Sequence, residues 1–451
     1  MKQVKELIGK RVLVLGMAKS GVASALLLAR LGAEVVINDS KSRAEQPQAG
    51  ELEAAGIQVV CGGHPLTVLD GCSLLVKNPG IPYTNIVVKE AEARGIPIWT
   101  EIELAYLISE AEMVAITGSN GKTTTTTLVK EMLEHSGRKP LIAGNIGTVA
   151  SEVAQKAKAE HVIVLEVSSF QLMGTNAFQP KVAVWLNIFD AHLDYHGTRE
   201  DYIAAKARIA ANMGPADYLV YNADDPTVVQ AIARIGATLV PFSRINVVED
   251  GAYVKDGTIF FKDEPILALA DAVLPGAHNV ENMLAATAAA RLAGATVEQI
   301  RHVLSHFLGV KHRLQYVGSW EGRQFYNDSK ATNILATKAA LSGFAKPVVL
   351  IAGGLDRGND FDELLASLKY VKAVVAYGET KSKLLALAAK ANVQAFTAER
   401  VQDATEKAVA LSQPGDVVLL SPACASWDQY RSFEERGDEF LDYVNTIIKP
   451  S

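Results

Sequence analysis

Cysteine is scarce in this chain: Cys61, Cys72 and Cys424 are the only three among 451 residues, and no Cys-x-x-Cys pair occurs. An odd number cannot all pair within one chain, which argues against a disulfide scaffold and a thiolate zinc site and predicts a reducing compartment. No apolar run reaches the roughly 18 residues that a membrane-spanning helix needs. The opening Met1-Lys2-Gln3-Val4-Lys5-Glu6 has no apolar signal core either, so the expectation is a cytoplasmic protein without membrane insertion. Positive charge is not in excess. With 44 basic against 50 acidic residues the net charge is -6, which argues against nucleic acid as the main partner while leaving room for a local basic pocket.

What is present suits large globular cores: 49% hydrophobic and 21% charged residues, over a length that predicts about three domains. Short β-branched runs alternate with longer Ala- and Leu-rich stretches, the pattern of α/β domains with parallel sheets covered by helices. Strands are expected at Arg11 to Leu15, Glu34 to Asn38, Ser73 to Lys77, Met113 to Thr117, Val162 to Val167, Val182 to Asn187, Tyr218 to Asn222, Val348 to Ala352, Ala373 to Tyr377 and Asp416 to Ser421. The rhythm restarts near Pro97 to Glu101 and near Leu308 to Lys311, giving expected domains 1–99, 100–309 and 310–451. Residues 239–270 read as a small antiparallel region of the middle domain.

In open parallel sheets ligands bind beyond the carboxyl ends of strands, so the residues trailing each strand are where chemistry is sought. After Leu15, Gly16-Met17-Ala18-Lys19-Ser20-Gly21 forms a dinucleotide-type turn into a helix, and Asp39 ends the next strand. Such a turn suits a phosphate or ribose, and a nicotinamide cofactor is only one candidate. After Thr117, Gly118-Ser119-Asn120-Gly121-Lys122-Thr123-Thr124 is the most specific local signal. Its backbone N–H groups cradle phosphates, Lys122 neutralises their charge and a threonine hydroxyl ligates Mg²⁺. It is shorter than the usual phosphate loop, with Ile116 where the outer glycine would fall.

Glu166 stands in an apolar strand, where a carboxylate is costly unless paired or on a cation. His192, in Asp190-Ala191-His192-Leu193-Asp194, is a candidate for a second cation or a substrate oxygen, with a capping role for that cluster equally compatible. Three further segments follow strands of the last domain: Asn327 to Asn333, Ala352 to Arg357, and Ser421 to Ser426. They are expected to converge on one sheet edge, offering Ser329, Lys330, Thr332, Arg357 and Ser426 to a small anionic substrate. Cys424 has no identifiable activating partner and reads as a small buried residue.

Thr117 to Thr123, Gly144-Asn145-Ile146-Gly147, Glu166 to Gln171 and His278-Asn279-Val280-Glu281-Asn282 resemble the ATP-dependent Mur ligases. Asn327 to Asn333 and Leu420 to Tyr430 resemble the branch that adds D-glutamate. The resemblance implies a Rossmann-like first domain, a P-loop ATPase-like central domain and a Rossmann-like third domain. It also implies ATP and two Mg²⁺ ions, UDP-N-acetylmuramoyl-L-alanine and D-glutamate as substrates, an acyl-phosphate intermediate and a monomer serving peptidoglycan precursor synthesis, hence cell shape and division. By residue, it implies that Gly118, Ser119, Asn120, Gly121, Lys122, Thr123, Thr124, Asn279, Asn282, Arg313 and Asp328 serve ATP. Thr123, Glu166, His192 and a carbamylated Lys206 serve the metals, with Lys122, Glu166, His192 and Lys206 catalytic. Ser20, Asp39 and Ser40 would hold UDP; Asn145, Ser168 and Gln171 would line the muramoyl part; Lys330, Thr332, Ser426 and Phe433 would take D-glutamate. The same resemblance predicts domain closure in catalysis.

Overall fold

The computed structural model describes residues 1–189 and 193–448. Its strands form three sheets. The first contains β1 (Arg11–Leu15), β2 (Glu34–Asp39), β3 (Gln58–Cys61), β4 (Leu74–Lys77) and β5 (Ile98–Trp99), all parallel, in the order β3-β2-β1-β4-β5. The β1 and β4 residues are almost continuously apolar, as strands buried on both faces must be.

The second sheet has nine strands. Its parallel part comprises β6 (Glu112–Thr117), β7 (Lys139–Gly144), β8 (His161–Glu166), β9 (Val182–Trp185), β10 (Tyr218–Asn222) and β11 (Thr238–Ser243), continued by β12 (Ala252–Lys255). From β12 the sheet turns antiparallel through β13 (Thr258–Phe261) and β14 (Glu264–Ala268). The antiparallel region expected at 239–270 is thus an edge extension of this sheet. Its order is β14-β13-β12-β11-β10-β9-β6-β8-β7, so the chain reverses direction across the sheet around β6, and the crevice at a reversal is where such sheets bind ligands.

The third sheet has the order β15-β16-β20-β17-β18-β19, built from β15 (Gln315–Trp320), β16 (Arg323–Asn327), β17 (Val348–Gly353), β18 (Val371–Tyr377), β19 (Gln394–Thr397) and β20 (Val417–Leu420). Only β15 runs antiparallel to its neighbour. The last strand, β20, inserts between β16 and β17, which brings the three polar segments of this domain to adjacent strand ends.

The residues fall into two compact units. One contains Met1–Leu269 with Glu281–Val303, and the other Ala270–Val280 with the chain from Leu304 onward. Inside the first unit, one apolar cluster runs from Val12 and Val14 of the first sheet through Ile102, Leu104 and Ile108 to Ala115 and Leu165 of the second. The helix Glu101–Ile108 sits in that cluster with two acidic residues facing inward. Burial pushes the Glu101 carboxyl up to about 7, and the Ser151 N–H donates to it at 3.0 Å. Glu103, fully buried, accepts the backbone N–H groups of Asn176, Ala177 and Phe178 at 2.8, 2.8 and 3.2 Å. A carboxylate is kept inside because three backbone donors need an acceptor there. Glu103→Ala leaves those donors without one, and should lower stability by about 3 kcal/mol, read as a shift of the urea unfolding midpoint.

Candidate active site

The second glycine loop leaves β6 and enters the helix Lys122–Glu134 through Gly121, whose φ of +83° is the left-handed conformation that glycine adopts without strain. A Cβ there would meet Asn282 Oδ1 at 2.2 Å, so any other residue would also have to displace that amide. No side chain caps the helix, which leaves its first N–H groups and the positive end of its dipole for an anion. Asn187, just beyond β9, holds the loop open. Its Oδ1 accepts from Asn120 N–H at 2.9 Å and its Nδ2 donates to Asn120 O at 3.3 Å. Ser119 Oγ shares a hydrogen bond of 2.9 Å with Tyr202 OH.

Two ammonium groups converge on this loop. Lys122 Nζ donates to Gly118 O at 2.8 Å and Ser119 O at 2.9 Å, and Lys206 Nζ donates to the same Gly118 O at 2.9 Å. Lys206 lies on the helix Arg199–Ala207, four residues after Tyr202, so both point from one face and the ammonium sits 4.7 Å from the Tyr202 ring centroid. At 1% exposure it makes no ion pair among the described residues. Burial, and then the charge of Lys122, hold its amine well below the ordinary lysine range.

Glu166 ends β8, level with Ile116 of β6. Its Oε2 accepts from Thr123 Oγ1 at 2.7 Å and its Oε1 from Asn145 Nδ2 at 2.8 Å. The buried carboxylate is therefore hydrogen-bonded on both oxygens, which answers the cost of placing it in an apolar strand. A hard divalent cation takes oxygen ligands and keeps waters or phosphate oxygens for the rest of its shell. Thr123 Oγ1 and the Glu166 carboxylate, side by side at the mouth of the loop, suit Mg²⁺. Among the described residues no group of three or more His, Cys, Asp or Glu could hold a metal by itself. His192 lies outside the described residues.

Ser168 and Gln171 cap the short helix Ser169–Leu172 reciprocally, Ser168 N–H and Oγ both donating to Gln171 Oε1 at 3.0 Å. Between them Ser169 Oγ pairs with His196 Nε2 at 2.9 Å, and the Phe170 ring stacks on His196 with centroids 5.3 Å apart. In the first sheet Asp39 accepts from Met17 N–H at 2.7 Å and Lys41 N–H at 2.9 Å, so it braces the first glycine loop; Ser20 lies in the first turn of the next helix and Ser40 is exposed beside Asp39. Asn282 Oδ1 accepts from Thr125 Oγ1 at 3.4 Å, while Asn279 Nδ2 donates to Pro275 O at 2.8 Å.

The third sheet gathers its polar segments as expected. Asp328 N–H donates to Leu420 O, Ser421 Oγ donates to Asp328 Oδ2 at 2.9 Å, and Gly353 N–H donates to Pro422 O. Asp328 also accepts from Leu314 N–H at 3.0 Å, tying down the residue beside Arg313, and burial pushes its carboxyl up to about 7. Lys330 Nζ lies 3.7 Å from the Phe433 ring centroid. Thr332, Arg357 and Cys424 line one cleft, and Ser426 is buried next to it in sequence. Cys424 is buried, and burial pushes its thiol up, so it is no poised nucleophile.

Three family models cover the chain in order: Mur ligase MurD-like, N-terminal domain at residues 10–100, Mur ligase middle domain at 116–290, and Mur ligase, glutamate ligase domain at 312–424. The chain is 99% identical, over all of both sequences, to a UDP-N-acetylmuramoylalanine--D-glutamate ligase of Shouchella clausii. It is 61% identical to the protein of that name from Halalkalibacterium halodurans, across 99% of this chain and all of the relative. The chain belongs to the Mur ligase family. A solved UDP-N-acetylmuramate-alanine ligase from Thermotoga maritima shares the three-domain fold at 18% identity and a TM-score of 0.58, covering 97% of this chain and 99% of that one. As a Mur ligase the protein is an ATP-dependent, amide-bond-forming enzyme.

Several residues that hold these loops escape a reading of motifs. Tyr202 and Asn187 act on the loop through space, from elements that carry no motif of their own. Arg436 had a signal. It falls on the apolar face of the helix Phe433–Ile448 with Phe440 and Val444, and a cation at such spacing has an internal partner to serve. The glycine loop yields a direct test. Gly121→Ala meets both the positive φ and the Asn282 contact, and should cut ATP-dependent turnover by about 100-fold while leaving the circular dichroism spectrum unchanged.

Proposed function

We propose that the enzyme joins D-glutamate to UDP-N-acetylmuramoyl-L-alanine at the expense of ATP, as a cytoplasmic monomer making a peptidoglycan precursor. The observation that carries this reading is the pairing of a phosphate-type loop, Gly118 to Thr124, with a buried carboxylate at the neighbouring strand end and a buried lysine that reaches the loop from the helix Arg199–Ala207. Domains 1–99, 100–309 and 310–451 would take UDP, ATP and D-glutamate in that order.

A carboxylate is a poor electrophile, so the alanine carboxylate would first take the γ-phosphoryl group of ATP, releasing ADP and giving an acyl phosphate whose phosphate is the later leaving group. Lys122 and the N–H groups at the start of the helix Lys122–Glu134 would hold the phosphates in line. Thr123 and Glu166 would hold Mg²⁺, which supplies charge neutralisation between two anionic reactants. Lys206 and His192 would serve a second ion. Asn145, Ser168 and Gln171 would orient the muramoyl end, and Ser20, Asp39 and Ser40 the UDP end. From the third sheet Lys330, Thr332, Ser426 and Phe433 would present the D-glutamate amine, whose attack forms the amide and expels phosphate. Arg313 and Asp328 would contact ATP, with Asn279 and Asn282 at the adenine.

Lys206 is the residue on which the chemistry turns. Its burial shifts the amine toward the neutral form, the form that adds to carbon dioxide, and the resulting carbamate would replace a repelled cation by a metal-ordering anion. Carbon-13 bicarbonate should therefore give one carbamate resonance that is absent in Lys206→Ala. The same variant should lose activity by about 100-fold or more and regain part of it with short carboxylates. Full activity in Lys206→Ala would remove the metal-ordering role.

The substrate assignment is tested by phosphate release from ATP with UDP-N-acetylmuramoyl-L-alanine, comparing D-glutamate with L-glutamate, L-lysine and glycine. Stimulation is expected with D-glutamate alone. Equal stimulation by another amino acid, or none by D-glutamate, sinks the assignment.

A further inference from the structure

Lys77 ends β4 at 1% exposure and makes no ion pair among the described residues. Among the described residues its ammonium is met by neutral oxygens only. Nζ donates to Ile81 O at 2.8 Å and Tyr195 OH at 3.1 Å, with Asn78 O and Pro79 O each at 3.4 Å. The Tyr83 ring centroid lies 4.9 Å away. Tyr195 OH in turn reaches Pro79 O at 2.9 Å and Ile81 O at 3.0 Å. A cation buried without an anion is expensive, and an apolar side chain would fill the same volume at lower cost. Burial pulls this lysine down to about 7. What the ammonium achieves is the closure of one turn, residues 78–81, around a single point.

That turn touches the first glycine loop. Asn78 N–H donates to Leu15 O at 2.8 Å, and a Cβ on Gly16 would meet Ile81 Cδ1 at 2.9 Å and Asn78 Cβ at 3.0 Å. On its other side the lysine holds Tyr195, whose ring packs edge-on against Phe170 at 4.4 Å and against His196 at 5.2 Å. Phe170 and Ser169 belong to the segment that runs from Glu166 to the Ser168–Gln171 capping box.

We propose that Lys77 is a positioning residue that struts the first glycine loop against the Glu166–Gln171 segment, fixing the span between the two ends of an extended nucleotide-linked substrate. The inference rests on the ligase reading, in which the UDP end lies on the first loop and the reacting carboxylate at the second. Because the Lys77 ammonium is spent on the 78–81 turn and Tyr195, its removal changes where the substrate sits and leaves ATP binding alone.

The test is a kinetic cycle of Lys77→Met, Tyr195→Phe and the double variant, with calorimetric titration of UDP alone. Lys77→Met should raise KM for UDP-N-acetylmuramoyl-L-alanine about tenfold while KM for ATP stays within about twofold, because misplacement of a bound group by a fraction of an ångström is costly. Tyr195→Phe should give a smaller rise of the same kind, and the double variant should be no worse than Lys77→Met, as expected for residues acting as one unit. The proposal is overturned if both KM values stay at wild-type levels, or if they rise together in proportion to a lowered melting temperature. Should Lys77→Met not fold, Lys77→Arg and Tyr195→Phe carry the same comparison. If the wild type shows no D-glutamate-dependent phosphate release, the ligase reading fails separately. The UDP titration then decides the strut: a weaker UDP affinity in Lys77→Met upholds it, and an unchanged one overturns it.

Discussion

Two ammonium groups share one carbonyl oxygen at the centre of this enzyme, and the rest of the site is arranged around that conflict. Lys122 and Lys206 both lie within hydrogen-bond reach of Gly118 O, so their charges are at most about 6 Å apart, a repulsion of roughly 3 kcal/mol at the effective dielectric of a partly buried pair. Lys122 is partly exposed and sits at an uncapped helix N-terminus, where a phosphate answers its charge. Lys206 is sealed under Tyr202 and must either stay neutral or acquire an anion of its own. The Glu166 carboxylate meets neutral donors, Thr123 Oγ1 on one oxygen and Asn145 Nδ2 on the other. An enzyme moving a phosphoryl group between two anions gains from such a surplus of positive charge, because it is relieved only when the reactants and their cations are in place.

Much of this was legible because the chemistry follows strand ends in sequence. Gly118 to Thr124 and Glu166 stand directly after or at the end of apolar strands, and the insertion of β20 between β16 and β17 collects the three polar segments of the last domain. Other features were not legible, for a physical reason. Strand ends shifted by a residue or two because polar residues expected to finish a strand serve the loop instead. Asn187 lies beyond β9, which stops at Trp185, since its amide is spent on both backbone groups of Asn120. The helix that carries Lys206 runs from Arg199 to Ala207, started by Thr198 and followed by a tighter turn at Arg208–Ala210. Strands β3, β5, β7, β15 and β19 pass unnoticed in sequence because they are short or lie at sheet edges, where exposure dilutes the apolar pattern.

Lys77 and Arg436 show a shared design. Each is a buried cation among the described residues with neutral oxygens for partners, and each gathers loops. Arg436, fully buried, donates from Nε to Ser329 Oγ at 3.0 Å, from Nη2 to Ser329 O at 2.7 Å and from Nη1 to Cys424 O at 3.0 Å. Ser329 Oγ in turn donates a hydrogen bond to Phe433 O at 2.7 Å. One guanidinium thus ties together the segment of Lys330 and Thr332, the segment of Ser426, and the residue whose ring lies beneath Lys330. Being sealed from solvent, Arg436 cannot itself meet a substrate carboxylate, which on the proposed reading would fall to Lys330. Lys330 is held over an aromatic face, which limits the arcs its flexible stem can sweep. A fork with fixed geometry sets the loops, and on the proposed reading a mobile ammonium placed upon them would meet the ligand. Reversing the two would lose on both counts, since a buried lysine cannot reproduce the planar fork's geometry and an exposed arginine would leave the loops to find their own register.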